Sequence, residues 1–474
     1  MKKTLLPSLP VPGVTPVTGA DLSRRGFLRL GGSGLVASWF LGSPAAAWAA
    51  RSAKVSTRGT ARNAIFVFLP GAPSQTDTWD LKEGAWTPSD FAPTSFGGGV
   101  RFPAGLMPNL ANRIGDLAFV RSLKSAALVH GLNQTWLQIA RNPTGATGAI
   151  APNIGSVVAL ELEKQRGPND VLPGFFAFNT GTAGLADEGY LPSTVAPFVA
   201  QPIATGLPNL THPDGAAALA TRYAWMQELD AALRTGQPMG KEPADAPDLY
   251  RQAKLLVDSP DVNQFLTIAA ADSARYGSSA FGDSCLLAKQ VLAAGRGTRF
   301  VMLGLGGWDH HASIYKKSVN ANLGETSLYS LAVQLDAGLA SLIGDLKATP
   351  GKTAGKTLFD ETLLFVVGEF GRTVGPLGDA AGRDHFANYC AVFAGGGVKG
   401  GQVIGATDAT GATITDSGVT GRTELRAEDL ACTVYSALGI DWTTTRRDDP
   451  IGRGFEYVPN AGAGVYAPID RLFG

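Results

Sequence analysis

The sequence predicts an α/β fold built around a mostly parallel central sheet. Three apolar runs carry that reading: Ala64–Leu69, Thr298–Leu305 and Thr362–Val367. Each lacks the polar alternation of a half-exposed strand, so each reads as a strand buried on both faces. Between them lie long stretches with helical spacing, and strands alternating with helices imply parallel neighbours joined by crossovers.

The elements follow in order. Residues 50–62 read as a linker, and the first strand stops at Pro70-Gly71. A helix is expected over Met107–Leu117, a short strand over Ala118–Leu123, and a second helix from about Thr135 to Arg141. Asn153 is placed to cap a third helix over Ile154–Lys164, since its side chain can accept from a free backbone N–H of the first turn. Residues 211–295 carry helical patterns and almost no strand signal, which marks a helical insertion in a main domain spanning 63–474. Asn322–Leu346 reads as a long helix. Ala391–Ala394 and Gly401–Gly405 read as a strand pair, and a last helix over Ala427–Leu438 stops at Gly439. No internal repeat is evident.

Composition narrows the function classes. With 474 residues the chain can bury a full core, and 45% hydrophobic residues exclude wholesale disorder. Lys+Arg and Asp+Glu both number 40, so there is no net positive charge of the kind that carries nucleic-acid binding. Three cysteines, Cys285, Cys390 and Cys432, make neither a disulfide framework nor a paired-cysteine zinc site. The 60 glycines point to a chain rich in turns.

Residues 1–49 read as an export signal. Ser23-Arg24-Arg25-Gly26-Phe27-Leu28-Arg29 resembles a twin-arginine motif, and Ala47-Trp48-Ala49 fits a signal-peptidase site. The apolar run between them contains Pro44 and several glycines, so no stable membrane span is expected in the mature chain. The expected location is periplasmic or secreted.

Polar residues cluster directly after the buried strands. Ser74, Gln75, Thr76, Asp77 and Asp80 follow the first, Asp309, His310 and His311 the second, and Glu369 and Arg372 the third. Asp384 and His385 stand just before Ala391. Ligands of open α/β sheets bind at the carboxyl ends of strands, so these segments are expected to meet in one crevice. Carboxylates with imidazoles form the donor set for a divalent metal. Asp309, His311, Asp384 and His385 are the central candidates. His310 and His311 point oppositely in an extended segment, so one of them binds. Arg372 is either a partner of Glu369 or an anion clamp. His212 reads as a turn residue, and His130 is open to either role. Gly395–Gly400 matches GxGxxG, but a strand follows it rather than a helix, which excludes a dinucleotide site.

Several segments together resemble a known family. Phe66–Asp80, Gly306-Gly-Trp-Asp-His-His311, Gly368-Glu-Phe-Gly-Arg-Thr373, Gly382-Arg-Asp-His385 and Ala394–Gly405 recur in order. They resemble the exported bacterial family called domain of unknown function fifteen-zero-one, which is similar to the alkaline phosphatase and sulfatase superfamily. Asp429–Asp441 resembles the closing helix of sulfatases. The resemblance implies a sulfatase/alkaline-phosphatase-like α/β sandwich with a metal site at its strand ends. The resemblance does not supply a substrate; the leading expectation is an exported metal-dependent hydrolase of phosphate or sulfate esters, acting on a small-molecule or polymer substrate. The resemblance also suggests a second, co-encoded exported protein as partner. One or two divalent ions (zinc, manganese or calcium) are expected on Asp77, Asp309, His311, Asp384 and His385. Thr135 is the expected nucleophile at a helix start, with Ser74 and Thr76 as competitors and Arg372 and Glu369 as catalytic partners. The chain departs from the family where it has Gln75 and Gln134 in place of histidines. One ion, held by the C-terminal half, is therefore expected to survive. His311 and His385 should meet, and Gln75 and Gln134 should face the same crevice. The alternative is a non-catalytic binding or assembly protein on the same fold.

Overall fold

Eight strands form the central sheet of the computed structural model, which describes residues 55–181, 184–208, 210, 212–234 and 241–474. They are β1 (Asn63–Phe68), β2 (Leu117–Lys124), β3 (Phe175–Phe178), β4 (Phe198–Ala200), β5 (Phe300–Gly304), β6 (Thr362–Val367), β7 (Asn388–Ala394) and β8 (Gln402–Ile404). Their spatial order is β8-β2-β7-β6-β1-β5-β3-β4. Every neighbouring pair is parallel except the two made by β7, which runs against both β2 and β6. The expected sheet is thus present, with one reversed strand.

The apolar runs are continuous because both sheet faces are covered. Ile65 and Val67 point into a core shared with Val301, Leu303, Leu364 and Val366. Ala64, Phe66 and Phe68 point into a second core with Met302, Phe365 and Phe393. The first face is covered by α5 (Ala280–Ala294) and α6 (Leu328–Ala348), which bury Leu287, Val291, Leu335 and Leu339 there. The second is covered by α1 (His130–Ile139), α2 (Ile154–Leu162) and α7 (Ala427–Ala437), with Leu137, Val158 and Val434. The remaining long helices are α3 (Gly215–Arg234) and α4 (Lys241–Asp258).

The differences from expectation have local causes. The second helix starts at His130, five residues before Thr135, because Val129 is already extended and nothing later interrupts the chain. α6 starts at Leu328, where Ser327 and Ser330 cap each other reciprocally, and not at Asn322. The expected helix over 107–117 is only Pro108–Ala111 followed by a single tight turn at Ile114–Asp116. The strands over 388–394 and 402–404 do not pair with each other; they flank β2. Strands β3 and β4 are too short to stand out as apolar runs. Within the expected insertion, α5 buries Phe281, Cys285 and Leu287 and so belongs to the core. Asn153 caps α2 through a 2.8 Å bond from Gly155 N–H, as its position suggests.

Residues 55–62, read as linker, are held against α7: Arg58 N–H and Gly59 N–H each donate to Ser436 O at 3.0 Å, and Ala61 N–H to Ala437 O at 2.9 Å. The expected export signal, residues 1–49, lies outside the described residues. Among the described residues, no helix is long and apolar enough to cross a membrane.

Candidate metal centre

The parallel strands deliver their carboxyl ends to one edge of the sheet. β1 leads to Gly71, β2 to His130, β5 to Asp309 and β6 to Glu369. Since β7 runs the opposite way, its amino end lies on this edge and brings His385 with it. Two-residue strands, Gly371–Arg372 and His385–Phe386, pair so that His385 sits opposite Arg372. Gly71 lets these segments close up. It has φ +99°, and a Cβ there would fall 2.6 Å from Trp308 N.

Four side chains converge: one ligand atom from each of His130, Asp309, His311 and His385 lies within 4.8 Å of all the others. His311 Nε2 is 3.1 Å from His385 Nε2 and 3.0 Å from Asp309 Oδ1. His130 Nε2 is 3.2 Å and His385 Nε2 3.7 Å from that same oxygen. A tetrahedral ion with bonds of ~2.0–2.1 Å has ligand–ligand edges of about 3.3–3.4 Å, which these spacings bracket.

The opposite ring nitrogens fix the tautomers. His130 Nδ1 lies 2.6 Å from Glu369 Oε1, His311 Nδ1 2.7 Å from Asp384 Oδ1, and His385 Nδ1 2.8 Å from Leu128 O. Each contact is to an acceptor, so each Nδ1 carries the proton and each Nε2 presents a lone pair inward. Carboxylate or carbonyl backing of this kind is the usual support for metal-ligating histidines. His130 Nε2 is buried and without a hydrogen-bond partner although Asp309 Oδ1 is 3.2 Å away. A lone pair facing a carboxylate oxygen is repulsive unless a proton or a metal ion lies between them. The donor set therefore fits a divalent transition ion.

Charges around the cluster are unequal. The hydrogen bond that His130 donates to Glu369, supported by the charge of that carboxylate, raises the pKa of His130 above the ordinary imidazole value despite burial. Burial lowers that of His385, against the pull of the Leu128 carbonyl. For Asp309, burial opposes ionisation, but the hydrogen bond and charge of Arg372 outweigh it and the net shift is downward. Burial first, then the charge of Arg372, holds His310 down at about 4.

The expected site residues divide. Asp309, His311 and His385 are in the cluster. Asp384 is not; it stands behind His311 with its side chain 80% exposed. Asp77 is also outside. It is buried and ion-paired to Arg383 at 2.7 Å, and it accepts from Ser74 Oγ at 2.6 Å and Tyr315 Oη at 2.8 Å. Its charge is already neutralised within the fold. Thr135 lies in the second turn of α1, not at a helix start, and its hydroxyl donates to Gly131 O at 2.9 Å. It lines a surface pocket with Ile139, Gly148 and Leu185. Arg372 is no free anion clamp, nor is Glu369 its partner. Its side chain is 1% exposed and bonds Asp309 and the carbonyls of Gly71, Ala72 and Arg383. Glu369 is buried, with Oε1 accepting from Gly71 N–H, Gln134 and His130, while Oε2 has no partner.

Gln134 faces the centre through that 3.0 Å bond to Glu369. Gln75 does not. It is buried and clasps the backbone of Arg372, donating to its C=O at 2.8 Å and accepting from its N–H at 2.7 Å. Ser74 and Thr76 are buried beside it, within hydrogen-bond distance of each other. His310 turns inward to Thr326, and His212 stays with Asp214 and Arg222. His130 is the ligand candidate that sequence reasoning left open. Its place just after a strand, at Val129-His130, was the available signal.

Comparison with known proteins adds a family and a set of distant structures. No curated protein matches the chain. Among solved structures it is similar to Ps i-CgsB in complex with k-i-k-neocarrahexaose, with 12% identity over 86% of this chain and 77% of that one, and a TM-score of 0.39. It is similar to the phosphonate monoester hydrolase SpPMH from Silicibacter pomeroyi, with 16% identity, 87% and 76% coverage and a TM-score of 0.37. A putative sulfatase from Bacteroides thetaiotaomicron is similar at 10% identity, 87% and 75% coverage and a TM-score of 0.37. The family described as "Protein of unknown function (DUF1501)" matches residues 61–458. That stretch holds the whole sheet and every residue of the metal cluster, and the chain belongs to this family.

Proposed function

We propose that the protein is an exported, metal-dependent hydrolase of phosphate or sulfate esters, holding one divalent ion on His130, His311, His385 and Asp309. One observation carries this reading: three imidazole Nε2 atoms and a carboxylate oxygen converge, while each Nδ1 is held by an acceptor. A bound ion would supply Lewis-acid polarisation of an ester oxygen. The chain's own groups do the rest. Glu369, Asp384 and the Leu128 carbonyl orient the three rings, and Arg372 holds the Asp309 carboxylate in place. Asp309 and His311 are nearly half exposed, so a substrate has access from that side. Arg24-Arg25 and Ala47-Trp48-Ala49 support export by the twin-arginine route.

A second reading, a non-catalytic binding or assembly protein, is favoured by a specific feature. Four protein ligands complete a tetrahedral site, the pattern of structural rather than catalytic zinc. The hydroxyls of Ser74 and Thr135 are also spent on Asp77 and Gly131. Elemental analysis of the folded protein, followed by assay on aryl phosphates, phosphodiesters and sulfates, separates the two. Stoichiometric metal with turnover of some ester supports the hydrolase. Metal-replete protein inert on the whole panel supports the second reading, and metal-free folded protein rejects both uses of the cluster.

A further inference from the structure

We infer that this centre selects esters bearing one negative charge, phosphodiesters or sulfate esters, over doubly charged phosphate monoesters. The inference rests on the metal-dependent reading above and adds the charge of the substrate to it.

The argument is a charge inventory. A doubly charged phosphate monoester needs cationic partners for several non-bridging oxygens, and guanidinium groups usually provide them. Two guanidinium groups lie beside this centre, and neither is available. Arg372 spends its N–H groups on Ala72 O at 3.0 Å, Arg383 O at 3.1 Å, Gly71 O and Asp309, and faces His311 Nε2 at 3.4 Å. Arg383 spends its own on Asp77 at 2.7 and 3.1 Å, on Thr373 O and Gly375 O at 2.8 Å, and on Tyr315 at 3.3 Å. An arginine has five N–H donors, and these contacts use every one except the buried Arg372 N–H that faces His311 Nε2, whose lone pair a bound ion would take. Both side chains are essentially inaccessible. At the end of β2, Lys124 and Arg426 are each paired with Glu424.

The accessible groups are acidic instead. Asp384 is 80% exposed at the rim and Asp309 46%. The carboxylates of Asp309, Asp384 and the buried Glu369 together balance one guanidinium and one divalent ion. A singly charged ester can place its one anionic oxygen pair toward the ion. Among the described residues, a second charge meets no accessible guanidinium at the centre and comes to lie near Asp384.

The test uses a matched pair that differs in charge and is not readily hydrolysed. Phenylphosphonate, at a pH where it is doubly charged, and its singly charged monomethyl ester are titrated calorimetrically into zinc-loaded protein. Benzenesulfonate forms a third arm, which separates sulfur from phosphorus recognition. The monoanions are expected to bind at least as tightly as the dianion. Asp384→Asn keeps an acceptor for His311 Nδ1 but removes the rim charge, and should improve dianion binding relative to the monoanions by about tenfold. Zinc content of the variant is measured alongside. A wild-type preference for the dianion overturns the inference. So does an unchanged ratio in Asp384→Asn, or no binding of any ligand. Failure of the hydrolase reading shows separately, in zinc content and the ester panel.

Discussion

His311 Nε2 and His385 Nε2 lie 3.1 Å apart although 74 residues separate them in the chain. Neither nitrogen carries a proton when the outer Nδ1 atoms donate to Asp384 and to Leu128 O. Two lone pairs at this distance come together only with a proton or a metal ion between them, and the same holds for His130 and Asp309. The contact arises because β5 and the reversed strand β7 deliver their ends to one edge of the sheet.

Removal of His130 tests the ligand assignment. His130→Ala should weaken zinc binding by at least the 10–100-fold typical of lost outer-sphere support, while leaving the fold intact. Zinc titration monitored with a competing chelator reads this directly. Unchanged affinity rules His130 out of the site.

Asp77 gives the contrasting outcome. Its ion pair with Arg383 is fully buried, so Asp77→Asn leaves a guanidinium partly unpaired and should cost about 3–5 kcal/mol of stability. Urea unfolding measures the loss. The folded fraction should still bind zinc at the wild-type stoichiometry, and loss of one zinc per chain from folded protein would return Asp77 to the ligand set.

Zinc affinity should rise with pH above the ordinary imidazole range. Glu369, paired to Nδ1, makes His130 keep its second proton, on Nε2, to a higher pH than usual, and the ion must displace that proton. Protonation therefore competes with the ion below the raised pKa, and the competition vanishes above it, giving up to about tenfold per pH unit per proton. Glu369→Gln removes the charge and should move this transition to lower pH. Calorimetry in buffers of different ionisation enthalpy counts the released proton, and a pH-independent affinity contradicts the argument.

Thr135→Ala should change neither ester turnover nor stability by more than about 0.5 kcal/mol, since the hydroxyl is exposed and bonded within its own helix. A large loss of turnover with normal zinc content would restore Thr135 as a nucleophile.

What sequence could decide, and what it could not, follows from the range of the interactions. Strands β1, β5 and β6 were legible because burial on both faces demands unbroken apolar runs, which is a local property. The Asn153 cap and the stop of α7 at Gly439 were legible for the same reason: each is satisfied within a few residues. Chain order also placed Asp309, His311, Glu369 and His385 near strand ends. The assignment of roles was not local. Asp77 and Asp309 are both acids after buried strands, yet Arg383 neutralises one and three histidines surround the other. Gln75 and Gln134 look equivalent in sequence, but one clasps the backbone of Arg372 and the other reaches Glu369. The sequence by itself determined strands β1, β5 and β6, the Asn153 cap and the donor types. The tertiary structure alone decided which donors converge, because that depends on strand order and on which charges meet from distant parts of the chain.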